Sequence, residues 1–198
     1  MLTIGKLEND KNLLRKHYED YDVMSSISDV LEDIIDENTI IVNIGTDRVI
    51  YDAIAPLIGT YLKNKKCSVP VYGTISNPIH ALNLEEKLYK IKSKHPYSTI
   101  IGIDACKSDI IGEIIVDNKS INPGSGTGKI LPKVGDYSIK ITTITNSSFI
   151  FDNSTSIRLN DIMEMGEIVG NAILKVVNSK KNNNKEVTLT DCYVEDLW

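Results

Sequence analysis

Three short apolar runs constrain this chain more than any other feature: TIIVNIG at 39–45, SVPVYGT at 68–74 and STIIGIDA at 98–105. Each is too short and too rich in β-branched residues to be a helix, and each suits a strand buried on both faces. The stretches around them carry a different period. From Val23 to Asn38 the residues Val23, Ile27, Val30, Leu31, Ile34 and Ile35 recur at three- and four-residue steps, which predicts an amphipathic helix. A second helix is expected from about Tyr51 to Lys65, with Pro56 tolerable only near its first turn. A third is expected over 83–94, where Glu85 and Glu86 come early and the lysines late, as the helix dipole favours. Strand, helix, strand, helix, strand in this rhythm implies parallel pairing through right-handed crossovers. The fold class is therefore α/β, a three-layer α-β-α sandwich around a mostly parallel sheet. EIIVD at 113–117 and SIKITTI at 138–144 add further strands. SIRLNDIMEMGEIVGNAILKVVN at 156–178 reads as a helix whose packed face carries Leu159, Ile162, Met163, Ile168, Ala172 and Val176.

The 198 residues, 41% hydrophobic and 25% charged, suit one domain with a full core. We expect that domain over 23–178, preceded by a polar N-terminal arm (1–22) and followed by a linker and C-terminal tail (179–198) that opens on SKKNNNKEV. A net charge of −5 and the lack of a Lys/Arg cluster interleaved with aromatics argue against nucleic acid as a partner. No apolar run approaches the ~20 residues that span a bilayer, and MLTIGKLENDKNLLRK has no apolar signal core. These features predict a cytoplasmic protein without a membrane partner. Cys67, Cys106 and Cys192 are odd in number and far apart, as reduced thiols would be.

The glycine-rich stretch INPGSGTGK at 121–129 poses the question of phosphate binding. A phosphate loop needs backbone N–H groups around the anion, a Lys, and a hydroxyl for Mg²⁺. With Gly128-Lys129 as the closing pair, the opening glycine is replaced by Pro123, which has no N–H, and the hydroxyl by Ile130. Pro132 and Gly135 leave almost no room for the following helix that would help hold the anion. A nucleotide-binding enzyme is the weakest of three readings.

Two aspartates stand where an open α/β sheet gathers ligands, at the carboxyl ends of strands near a reversal of strand order. Asp104 closes IIGIDA, and Asp52 lies in GTDRVIYDAIAP, on the way from the first apolar strand into the next helix. Each has a plain structural role open to it, Asp52 as a helix N-cap and Asp104 as a turn residue. Taken together they are more telling, because two carboxylates in one crevice share a proton. One then acts as base toward water and the other as acid toward a carbonyl or leaving group. Asp47 is a candidate supporting acid. Cys106, two residues after Asp104, is a less natural nucleophile, with no base placed beside it by the sequence.

The segments IGTDRVIYDAIAPLIG, VYGTISNPIHALNLEEKL and IGIDACKSDIIGEIIVDNKSINPGSGTGK, in that order, resemble the YyaC-type spore proteases of spore-forming Firmicutes. That family is similar to the spore germination protease and, more distantly, to the hydrogenase maturation proteases. The resemblance covers about residues 23–178 and implies a phosphorylase/hydrolase-like architecture. By motif, the germination protease's acid/base aspartates fall on Asp52 and Asp104, and its Pro-Gly-Ser-Gly loop falls beside the cleft. On that basis Asn122, Gly124, Ser125 and Gly126 are implied to shape a substrate groove, where glycines let backbone N–H groups approach a carbonyl. A surface hairpin without a ligand is the alternative.

Val49-Ile50-Tyr51 and Ala55 depart from the smaller residues of related spore sequences, and the bulk at Val49, Ile50 and Tyr51 would narrow or close the cleft. The hydrogenase maturation proteases combine two such acids with a later histidine. Here His17, His80 and His95 all precede the glycine loop, so neither nickel recognition nor any other metal or cofactor is expected. The leading expectation is a sporulation-associated peptidase that hydrolyses a peptide or small spore protein with Asp52 and Asp104, with a homo-oligomer among its expected partners. A catalytically silent scaffold with the same fold is the second reading.

Overall fold

The computed structural model describes residues 12–124, 131–145 and 157–192, with side chains as far as 182. Among these, six strands form one sheet: β1 (Leu14–His17), β2 (Ile40–Asn43), β3 (Val71–Tyr72), β4 (Ile100–Ser108), β5 (Glu113–Asp117) and β6 (Tyr137–Thr145). The helices are α1 (Val23–Glu32), α2 (Ile54–Asn64), α3 (Leu84–Lys94) and α4 (Leu159–Cys192), and a single 3-10 turn spans Ile50–Asp52 just before α2.

The strand order is β1-β5-β6-β4-β2-β3. β3, β2, β4 and β6 run parallel, while β5 pairs antiparallel with both β6 and β1. Strict alternation along β2 sends Ile41 to one face and Ile40 and Val42 to the other. Ile41 joins Ile101, Ile103, Ile139 and Ile141 beneath α1, α2 and α4, with Ile27, Leu31, Ile58 and Leu62 fully buried above them. Ile40 and Val42 join Ile100 and Ile44 beneath α3, through Leu84, Leu88 and Ile91. The result is the expected three-layer α-β-α sandwich on a mostly parallel sheet.

Several elements differ from the sequence expectation. Leu14–His17 lies within the stretch expected to be an arm, yet forms the edge strand β1 against β5. LRKH offers only one apolar residue, so it carries no period-2 signal of its own. α1 ends at Glu32 rather than Asn38, because Asp36 and Thr39 close a turn on each other: the Asp36 N–H donates to Thr39 Oγ1 at 2.9 Å and Thr39 Oγ1 donates to Asp36 Oδ1 at 2.8 Å. α4 continues beyond 178 to Cys192, through the segment expected as a linker. Its packed face is also phased differently. Ile162, Met165, Val169, Ala172, Ile173 and Val176 are buried, while Leu159 and Met163 stand about half exposed. Two apolar stripes with helical spacing overlap in that sequence, and packing against α1 and α2 selects one of them.

Candidate functional site

The chain leaves β2, forms α2, and returns as β3 on one side of β2; it then forms α3 on the opposite face and returns as β4 on the other side. The strand order thus reverses between β2 and β4, and at such a reversal the carboxyl ends of an open α/β sheet form a ligand crevice. Asp52 and Asp104 stand there.

Asp52 closes the 3-10 turn that follows β2. Its carbonyl accepts the Thr46 N–H at 3.1 Å, cinching the Thr46–Asp52 loop, and Thr143 Oγ1 on β6 donates to the neighbouring Tyr51 carbonyl at 2.7 Å. Gly45 makes the loop possible. Its φ is +146°, and a Cβ there would lie 2.2 Å from the Asp52 carbonyl oxygen. Its N–H donates to Ile79 O at 2.8 Å, which draws the segment before α3 onto the same crevice. His80 follows directly. Asp52 therefore caps no helix through its side chain, and the structural role open to it as an N-cap is not the one it fills.

Asp104 lies on β4 opposite Lys140 of β6, shortly before a register shift between Cys106 and Lys107. By strand alternation it shares the α3 side of the sheet with Gly102. Ile121 packs on Gly102, where an added Cβ would come within 2.8 Å of Ile121 Cδ1. Ile121 and Val134 also exchange backbone hydrogen bonds at 2.8 and 3.1 Å, closing the base of the glycine loop. That base stands two residues, roughly 7 Å, from Asp104 along the strand. Of the predicted loop residues, Asn122 is exposed, Gly124 has φ +75°, and Ser125 and Gly126 lie outside the described residues.

The electrostatics separate the two acids. Burial pushes Asp52 up to about 6, opposed by a backbone hydrogen bond from Thr46 and by the positive field of His80. Asp104 is raised well above the ordinary carboxylate range, first by burial and then by the charge of Asp52, with only the Ala105 backbone opposing. Asp104 therefore lies in the field of Asp52, and Asp52 ionises before Asp104. Their titration belongs to the pair. Asp47 is exposed, and among the described residues no hydrogen bond or ion pair joins it to either acid. Burial and the Asp104 charge push the Cys106 thiol up to about 11, which keeps it protonated and unsuited to nucleophilic attack.

His80 and Thr143 are the site residues that sequence reasoning missed. His80 stands just before α3, and its carbonyl accepts the N–H of Asn83 and Leu84. Its influence on Asp52 depends on the Gly45–Ile79 contact, which no local motif reveals. Val49, Ile50 and Tyr51 are 38%, 50% and 44% exposed, so the bulk expected to narrow the cleft stands at its rim. Among the described residues, no three of His, Cys, Asp and Glu gather closely enough to hold a metal ion, and no helix is long and apolar enough to cross a membrane.

A solved structure with a similar fold is the NiFe hydrogenase maturation protease HycI from Thermococcus kodakarensis KOD1, with a TM-score of 0.52 and 20% sequence identity over 75% of this chain and 99% of that one. The uncharacterized protein YyaC of Bacillus subtilis (strain 168) is 34% identical over 142 residues, which cover 68% of this chain and 67% of YyaC. Residues 15–172 match the family model described as a protein of unknown function, DUF1256. The chain belongs to the DUF1256 family, as the resemblance of its three ordered motifs to YyaC implied.

Proposed function

We propose that this protein is a peptidase in which Asp52 and Asp104 hydrolyse a peptide bond through a bound water. The observation that carries the reading is the electrostatic division within the pair: Asp52 is ready to ionise near neutrality, and the charge it acquires holds the proton on Asp104. The fold shared with HycI, a protease by name, supports the same class of chemistry.

Ionised Asp52 takes a proton from water, and the resulting hydroxide attacks the scissile carbonyl carbon. Asp104 gives its proton to the carbonyl oxygen, so the tetrahedral intermediate is neutral. In its collapse Asp52 passes its proton to the leaving nitrogen and Asp104 recovers one from the diol, which returns both acids to their starting states. Asn122 and Gly124, on the loop anchored at Gly102, are assigned to the substrate side. A sporulation setting and a small spore protein as substrate follow from the resemblance to the spore proteases and belong to the same proposal.

Incubation with casein or spore-protein extract tests it. The unmodified chain is expected to cleave with activity rising through about pH 6 as Asp52 ionises, and Asp104→Asn is expected to lose at least about a thousandfold, since the general acid is removed. Cleavage by both forms, or by neither, sinks the mechanism, and the second of these outcomes favours the silent scaffold.

A further inference from the structure

A cleft of about 230 Å³ opens beside the crevice, between the end of α2, the Thr74–Asn77 turn and the length of α3. Lys63, Lys87, Lys90 and Lys94 line it, Ile79 and Ile91 contribute apolar surface, and no acidic residue is among its lining groups. This is unexpected in a chain of net charge −5. Lysines in the last turn of a helix ordinarily complement its dipole, which accounts for Lys63 and Lys94. Lys87 and Lys90 lie in the middle of α3, where no such reason applies. Lys87 donates to Asn77 Oδ1 at 2.6 Å and Lys90 pairs with Glu86 on the same helix. Among the described residues, Lys63 and Lys94 have no ion-pair partner.

The geometry points to an acidic, extended peptide segment as the occupant of this cleft: we infer that the substrate carries about three carboxylate side chains to one side of its scissile bond. The inference rests on the peptidase reading above. Two features favour an extended chain over a compact anion. Lys87 and Lys94 are seven residues apart on α3, roughly 10 Å, a span matched by about three residues of extended peptide. The walls present flexible ammonium groups, and the α3 residues that line the cleft run from Lys87 to Lys94 and leave out Leu84–Glu86, the start of the helix that would bind a single phosphate. The direction of approach is also set. The wall formed by Thr74, Asn77 and Ile79 leads straight into His80, whose field reaches Asp52, and Ile79 is fastened to Gly45 at the crevice. Gly73 holds the start of that wall against the sheet, with φ +77° and no room for a Cβ, which would lie 1.9 Å from the Asn43 carbonyl oxygen.

The test uses the full chain carrying Asp104→Asn, so that binding is read apart from cleavage. A fluorescein-labelled decapeptide with three consecutive glutamates is titrated by anisotropy beside its glutamine counterpart. The acidic peptide is expected to bind at least about tenfold tighter at low salt, with the difference shrinking as ionic strength rises from about 0.02 to about 0.3 M. Lys63→Gln combined with Lys94→Gln is expected to lower acidic-peptide affinity about fivefold and leave the glutamine peptide unchanged; both side chains are exposed, so the fold should survive, and a melting curve checks this. Equal affinity for the two peptides, indifference to the lysine changes, or displacement by inorganic phosphate at the peptide's own concentration overturns the inference. The same glutamate and glutamine peptides given to the chain with Asp104 restored separate the two proposals: acid-selective binding without cleavage defeats the peptidase reading alone, and cleavage without acid preference defeats the cleft alone.

Discussion

Four acids of the central sheet and its loops meet burial in two different ways. Glu113 and Asp117 on β5 are 8% and 4% exposed, and each has a cation: Arg15 Nη1 lies 2.6 Å from Glu113 Oε2, with Ser108 Oγ also donating at 3.2 Å, and Lys140 Nζ lies 3.3 Å from Asp117 Oδ2. Asp52 and Asp104, at the carboxyl ends of the parallel strands, have no ion-pair partner among the described residues; backbone N–H groups and, for Asp52, the field of His80 only partly offset burial, and both are raised above the ordinary carboxylate range. A buried carboxylate with a cation beside it serves the fold. One without a cation resists ionisation, lowers stability at neutral pH, and is the kind of group that moves protons. The antiparallel edge of the sheet is therefore built for cohesion, and the strand-order reversal is where the molecule retains an electrostatic cost.

Removing that cost should produce the largest effect. Asp52→Asn and Asp104→Asn are expected to abolish peptide cleavage and at the same time raise stability at pH 7–8 by about 1 kcal/mol each, roughly 2–4 °C in melting temperature. The sign follows from linkage. Both groups have folded-state values above the unfolded one, so their carboxyls favour the folded state fully below the unfolded value and lose that contribution as pH rises, for Asp52 between about 4 and about 6. The amide variants should thus match the unmodified chain near pH 4 and exceed it above pH 6. Melting curves across that range decide the matter, and a loss of stability at pH 8 would place both acids in structural roles like those of β5.

The complementary change strikes the edge. Arg15→Met leaves Glu113 largely buried without its cation, which should lower stability by about 2 kcal/mol, below the usual figure for a fully buried pair because the Arg15 side chain is about half exposed. For a chain of this length that corresponds to roughly 4–8 °C in melting temperature. Adding Glu113→Gln should restore part of the loss. Peptidase activity at a temperature where both forms are folded should be unchanged, since Arg15 lies three strands from Asp104.

This contrast also accounts for what the sequence disclosed. The places of Asp52 and Asp104 in the fold were legible because a βα turn and a strand end are local features, marked by the apolar runs before them. The parallel order of the central strands followed from the alternation of periods over 39–105. Arg15 and Glu113 are 98 residues apart, and the strand that carries Arg15 exists only because β5 offers it an edge. A polar tetrapeptide recruited in this way has no signal of its own. The same limit hid Thr143, which bonds the Tyr51 carbonyl, and His80, whose field reaches Asp52, and it left the face of α4 ambiguous at Leu159 and Met163.

The smallest expected effect joins the two regions. Asp104 and Lys140 are direct cross-strand partners, Lys140 is opposite Ile115, and Ile115 is opposite Arg15, so a single row of side chains crosses β4, β6, β5 and β1 on one face. Lys140 is the nearest cation in that row to Asp104, yet its amine is committed to Asp117, and the forces on Asp104 are burial, the charge of Asp52 and the Ala105 backbone. Asp117 thereby keeps a positive charge from stabilising the ionised form of Asp104. Asp117→Asn removes the attraction while preserving shape, and Lys140 then gains by turning toward Asp104. The alkaline limb of the cleavage profile, which reports loss of the Asp104 proton, is expected to move down by about one pH unit, with the acidic limb set by Asp52 unmoved. Measuring kcat/KM from pH 5 to 10 for both forms distinguishes this from simple damage, which lowers the whole profile without moving either limb. An alkaline limb that stays in place would mean that the cohesive edge and the proton-bearing crevice, though they share one row of the sheet, do not communicate.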